Sequence, residues 1–214
     1  MGIKLTEATG SAQKTSIEQY QMKNGDNAVR IFGDLLPRYI YWVKGENDKN
    51  IPVECLAFDR DTESWKNAEK DWVAEYYPDL KAGWAYSVQC IDLQDGKVKV
   101  FNLKRKLLEQ IISAAKELGD PCDLEKGWEV HFERKKTGPN VFNVEYTLNQ
   151  IKSMKNTKPV TDEQREAIAA ATPIDELLPR PTPEQQKEFL DKLREGSKEE
   201  SNEDPDIDEH FDVS

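Results

Sequence analysis

The chain has 214 residues and a formal net charge of −11, with 37% hydrophobic and 33% charged residues. That allows one ordinary domain with extensions, or two small ones, with the core concentrated in part of the chain. No apolar run approaches the roughly 18 residues of a membrane span, and residues 1–20 lack a signal peptide's apolar stretch, so a cytoplasmic protein is expected.

In chain order, residues 1–19 are polar and read as a flexible arm. Ala28-Val29-Arg30-Ile31-Phe32 reads as a strand, and Tyr39-Ile40-Tyr41-Trp42-Val43 as a second. Gly45-Glu46-Asn47-Asp48 turns the chain into a third candidate over 51–58. Trp65, Trp72, Val73, Tyr76 and Tyr77 have loosely helical spacing that Pro78 ends. Residues 84–93 alternate, with Tyr86, Val88 and Cys90 on one face. Asp95-Gly96 then suits a hairpin turn into Val98-Lys99-Val100-Phe101. Leu103, Leu107, Ile111 and Leu118 form a helical stripe that Asn102 can cap and Gly119 stops. Residues 129–134 and 141–148 pair as a final hairpin around Lys135-Lys136-Thr137-Gly138-Pro139.

Five or six short strands with an inserted helix suit a mainly β fold, a Greek-key barrel of the OB type. A β-sandwich fits the pattern almost as well. Beyond residue 155 large apolar groups thin out. A helix capped at Thr161 is expected over 161–171 and a short amphipathic one over 183–193, with an acidic end from 195 to 214 that orders only on binding. Charge divides the chain as well. Residues 20–155 carry 21 Lys+Arg against 22 Asp+Glu, and residues 156–214 carry 7 against 17. The expected organisation is an arm (1–19), a binding body (20–155) and an acidic tail (156–214).

Chemistry is sparse. Cys55, Cys90 and Cys122 are far apart and odd in number, so neither a disulfide framework nor a CxxC pair is present. His131 and His210 have no partners at zinc-ligand spacing. There is no phosphate-binding glycine loop, nucleophile elbow or HExxH, so no enzyme and no cofactor are expected. Asp59 and Asp61 read as a solvated turn. Stacking on bases is the remaining chemistry, because single strands are held by aromatic rings with Lys and Arg following the backbone. Both types interleave here: Tyr39, Tyr41, Trp42 and Lys44; Trp84 and Tyr86; Lys97 and Lys99; Lys104 and Arg105 beside Lys106; Arg134, Lys135 and Lys136; Phe142 and Tyr146. Each aromatic taken alone is more often core. The Lys104–Lys106 run opposes the dipole at a helix start and needs another reason to be there. From the residues alone, nucleic-acid binding stands beside an acidic protein-interaction adaptor and an unrecognised enzyme.

The order of four segments resembles the single-stranded-DNA-binding proteins of tailed phages. They are Asn27-Ala28-Val29-Arg30-Ile31-Phe32; Tyr41-Trp42; Gly96-Lys97-Val98-Lys99-Val100-Phe101 with its following helix; and Gly127-Trp128-Glu129-Val130-His131-Phe132-Glu133-Arg134-Lys135-Lys136-Thr137-Gly138. A Pro173-Ile174-Asp175-Glu176-Leu177-Leu178-Pro179 segment then leads to the acidic end. The resemblance implies sequence-independent coating and protection of single strands in DNA replication, recombination and repair, in the host cytoplasm. It adds Arg30 to the binding residues. Many relatives hold zinc in the region that here contains only Cys55, so no metal is expected, with packing around Trp65 and Trp72 in its place. Ile207, Phe211 and Val213, set among acidic residues, suit a basic-rimmed apolar pocket on a replication or recombination partner.

Overall fold

The computed structural model describes residues 18–45, 49–66, 69–140 and 143–199. Its elements are β1 (Gly25–Leu36), β2 (Tyr39–Lys44), β3 (Asn50–Glu54), β4 (Phe58–Asp59), β5 (Ser64–Trp65), α1 (Trp72–Tyr76), β6 (Gly83–Trp84), β7 (Ser87–Asp92), β8 (Val98–Asn102), α2 (Arg105–Leu118), β9 (Val130–Lys136), β10 (Val144–Leu148), α3 (Gln150–Lys155), α4 (Asp162–Ala169), α5 (Ile174–Leu177) and α6 (Pro183–Glu199). The architecture is mainly β, with antiparallel pairing and a few helices. The described chain divides into two compact units. Unit one comprises residues 18–34, 88–102 and 109–177; unit two comprises 35–87, 103–108 and 178–199.

Unit one is organised by a sheet of order β10-β9-β1-β7-β8. The β7–β8 turn forms as its sequence requires. Gly96 sits at φ +71°, a conformation glycine adopts without a Cβ penalty. Its N–H donates to the Asp92 carbonyl at 2.8 Å. In the part of α2 that belongs to this unit, Ile111 and Ala114 are buried at helical spacing. Gly119, at φ +85°, ends the helix, and its carbonyl accepts the Trp128 indole N–H at 2.9 Å. Residues 156–177 also belong to this unit. Val160 N–H donates to the Leu124 carbonyl at 2.8 Å, and Gln89 donates its amide to the Thr172 carbonyl at 2.9 Å. Thr161 caps α4 reciprocally with Gln164, so two orphan N–H groups are satisfied.

Unit two contains a sheet of order β3-β2-β6 and the small β4–β5 ladder. Its core is Tyr41, Val43, Val53, Cys55, Phe58, Val73, Tyr86 and Leu190. Leu190, on α6, is wholly buried. The neighbouring Gln186 is 1% exposed, accepts the Trp72 N–H at 2.7 Å and donates to the Glu54 carbonyl at 2.8 Å. Residues from the acidic quarter of the sequence therefore complete this core.

Three expectations are corrected. The strand expected over 84–93 is two elements: Trp84 lies in β6 and residues 87–92 form β7, in different sheets. All six residues of β7 are buried, because it is an inner strand covered on both faces, which one-face alternation does not describe. The strand expected over 51–58 stops at Glu54, where the chain turns and Leu56 N–H donates to the Asp71 carboxylate at 2.9 Å. The loosely helical 65–77 segment resolves into β5, carrying Trp65, and the short α1. Asp71 caps α1, accepting from Val73 N–H at 3.0 Å and Ala74 N–H at 3.3 Å.

Candidate nucleic-acid interface

Strand period splits the expected residues of β2 between two faces. Tyr41 and Val43 enter the core, with Tyr39 packed partly buried against it. Trp42, 54% exposed, and Lys44 point the other way, with Trp42 opposite Pro52 on β3. Tyr41 is thus a core ring, its hydroxyl accepting the Cys55 thiol at 3.4 Å. Burial pushes that thiol's pKa up to about 11, which keeps it protonated and unreactive. Among the described residues no group of three or more His, Cys, Asp or Glu is arranged to hold a metal ion.

On the Tyr39 side of β2 the rings of unit two converge. Trp84 is the ladder partner of Tyr39 and stacks on Tyr86, with centroids 4.5 Å apart and planes at 18°. Tyr39 lies 4.7 Å from both Phe58 and Trp65, and Phe58 lies 5.4 Å from Trp65. Tyr86 and Phe58 are buried and form the floor; Tyr39 and Trp84 are partly exposed. Burial, with Glu63 nearby, pushes the Tyr86 hydroxyl up to about 12, so it stays neutral at any working pH.

Trp65 is the residue the sequence reading placed as packing. It is 53% exposed yet held at edge contact by Tyr39 and Phe58. The turn-rich stretch Asp59-Arg60-Asp61-Thr62-Glu63 between two aromatics was the available signal for a hairpin.

Several cations in unit two are already engaged. Arg60 grips the buried Glu54 carboxylate through both Nε (2.6 Å) and Nη2. Arg180 approaches the same carboxylate at 3.4 Å and Glu69 at 3.0 Å. Lys66 pairs with Asp59 at 2.9 Å and holds its carboxyl well below the usual range. Lys104, Arg105 and Lys106 are exposed around the start of α2.

The remaining expected residues lie in unit one. Arg30 is 2% exposed and donates to the Asp123 carbonyl at 2.7 Å, so it braces the 120–127 loop and is not available to a phosphate at the surface. Lys99 is clasped by Asp95 at 2.6 Å and Asp92 at 2.8 Å. Burial opposes its charge, but the two carboxylates win and raise its pKa. Lys97 is exposed. Lys135 and Lys136 are exposed on β9, while Arg134, opposite Tyr146 in the ladder, is half-buried like Tyr146 itself. Phe142, Ile207, Phe211 and Val213 lie outside the described residues. No helix among the described residues is long and apolar enough to cross a membrane.

These features define a mainly β protein with a half-exposed cluster of aromatic rings in one unit and exposed cations in both. No family model matches the chain. It is 30% identical, over 228 aligned positions covering 89% of this chain and 86% of the relative, to the "Probable ssDNA-binding protein" of Escherichia phage T5. The chain belongs to the family of that phage protein.

Proposed function

We propose that this protein binds single-stranded DNA without sequence preference and coats it during phage DNA replication, recombination and repair. The observation that carries the reading is the ring cluster of unit two, which presents Trp65, Tyr39 and Trp84 to solvent over a buried floor of Phe58 and Tyr86. Rings fixed from below lose little freedom when a base stacks on them, and any base offers a π-face. Lys104, Arg105 and Lys106 in the same unit supply cations for the phosphates. Trp42 and Lys44 offer a second contact on the other face of β2, and Lys97, Lys135 and Lys136 offer cations in unit one. The printed name of the phage T5 relative supports the same substrate. An OB-type barrel remains our reading of the β body, and we assign no catalytic role.

The acidic end belongs to the proposal as a recruiting segment. Ile207, Phe211 and Val213 among carboxylates suit a basic-rimmed apolar pocket. The same carboxylates compete with DNA phosphates for Lys and Arg.

Fluorescence titration with a dT oligonucleotide and a duplex of equal length tests the reading. Single strands bind more tightly, with a log–log salt slope of about −0.7 per phosphate neutralised. Equal affinity for the two overturns the single-strand preference, and no affinity for either leaves the acidic interaction adaptor, which has no affinity for DNA, as the better account. Deleting residues 199–214 tightens DNA binding at low salt, with a gain that shrinks as salt screens the charges. Unchanged low-salt affinity removes the competition idea alone.

A further inference from the structure

Unit one carries a concavity that the DNA-binding reading does not use. It is a cleft of about 360 Å³ between the β1–β9–β10 face and α3. Its apolar part is Leu148 and Ile151; Ile151 is 67% exposed, and Met154, three residues on and so on the same side of α3, is 52% exposed. Its polar part sets two carboxylates among amide side chains, His131 and Lys152. Asp26 and Glu133 are direct partners across the β1–β9 ladder, and both line the cleft.

Like charges facing each other across a ladder repel; both carboxylates are exposed, so water screens part of that repulsion, and the pair favours a nearby cation. Lys152 approaches Asp26 at 3.4 Å, but the two side chains are 47% and 80% exposed, so water screens much of that attraction. His131 also lines the cleft. It is 8% exposed, its Nε2 lies 3.0 Å from Glu129, and its Nδ1 is buried with no partner among the described residues. A buried ring nitrogen without a partner is rare, because it loses its water without replacing the hydrogen bond.

We propose that this cleft is a docking site for a partner protein's peptide segment carrying a lysine or arginine next to a large aliphatic residue. The cation sits between Asp26 and Glu133 and relieves their repulsion, and the aliphatic group covers Ile151 and Leu148. The carboxylates of Asp26 and Glu133 outnumber Lys152, the one lysine of the lining, so a cationic segment suits the cleft better than a nucleic-acid backbone. The cleft belongs to unit one and the aromatic cluster to unit two, and the proposal does not depend on the DNA-binding reading.

The test uses isotope-labelled full-length protein and a synthetic peptide alternating lysine with leucine. A matched glutamate–leucine peptide and a dT oligonucleotide serve as separate arms. The lysine peptide shifts the amide signals of Asp26, His131, Glu133 and Ile151 saturably. The double variant Asp26→Asn/Glu133→Gln, and separately Ile151→Ser, weaken that binding by about tenfold, as expected for loss of an ion pair or an apolar anchor. All three substitutions lie at the cleft surface, and variants that keep the wild-type melting temperature report on binding alone. Shifts confined to residues outside the cleft overturn the proposal. So do wild-type affinity in both variants, equal binding of the glutamate peptide, and saturation of the same signals by the dT oligonucleotide.

Discussion

Trp65 and Tyr86 are joined through Tyr39 and Phe58, yet opposite outcomes are expected of them. Trp65 is half exposed, so Trp65→Ala removes a stacking surface with little core loss. It weakens dT binding by about 1–3 kcal/mol with a small change in melting. Tyr86 is 7% exposed beneath Trp84. Tyr86→Ala therefore lowers stability by about 3–5 kcal/mol, the cost of a large buried ring. Paired melting and fluorescence titrations check both, and a Trp65 variant that loses stability while keeping its affinity shows that ring to be structural. Lysines divide in the same way. Lys136→Ala lowers the magnitude of the salt slope of binding by about 0.7 if it meets a phosphate. Lys99→Ala leaves that slope unchanged, because Asp92 and Asp95 already hold its ammonium.

Among the elements, α6 is fixed to unit two by a leucine and an amide. Leu190→Ala costs about 2–5 kcal/mol, as buried leucines do. Gln186→Leu leaves the Trp72 N–H and Glu54 carbonyl without their partner and costs about 1–3 kcal/mol; both are read by chemical denaturation. A pH effect belongs to the segment from Glu129, just before β9, to Lys158. Burial opposes ionisation of Glu129, but the Lys158 ammonium at 2.7 Å and the His131 ring overcome it and lower its pKa below the ordinary glutamate value of 4.5. A depressed carboxyl pKa means that the folded state favours the charged form. The stabilisation is therefore complete above 4.5 and is lost as pH falls through the lower folded value. Unfolding free energy measured between pH 6 and pH 3 falls less steeply in Glu129→Gln than in the wild type.

At the scale of the whole chain, charge and packing divide the sequence at different points. The acidity gathers beyond residue 155, whereas residues 156–177 pack in unit one and Leu190 completes the core of unit two. Truncation at residue 177 removes Arg180, Gln186 and Leu190 together and lowers the melting temperature of unit two by many degrees. Truncation at residue 199 leaves all three in place, so melting stays at the wild-type value. Differential scanning calorimetry of the two proteins separates a structural role for residues 178–199 from the charge of residues 200–214.

Local chemistry was decisive wherever a few neighbouring residues set the conformation. The Asp95-Gly96 turn, the glycine stop of α2, the helix capped at Thr161 and the helix starting at Pro183 all appear where the sequence put them, since their hydrogen bonds and φ angles are satisfied within one or two turns of chain; Asn102, expected to cap α2, instead ends β8, and the helix begins at Arg105. The mainly β character followed from aromatic and β-branched runs between turn residues. Tertiary structure alone decided which face each residue presents and which unit it joins. Tyr41 and Trp42 are neighbours of similar chemistry, and only the position of the core makes one buried and the other exposed. Arg30 reads as a surface cation until the 120–127 loop covers it, and Trp65 becomes available only because Tyr39 and Phe58 hold its edge. Burial is a property of what lies opposite a side chain, and that is set by contacts between residues far apart in the chain.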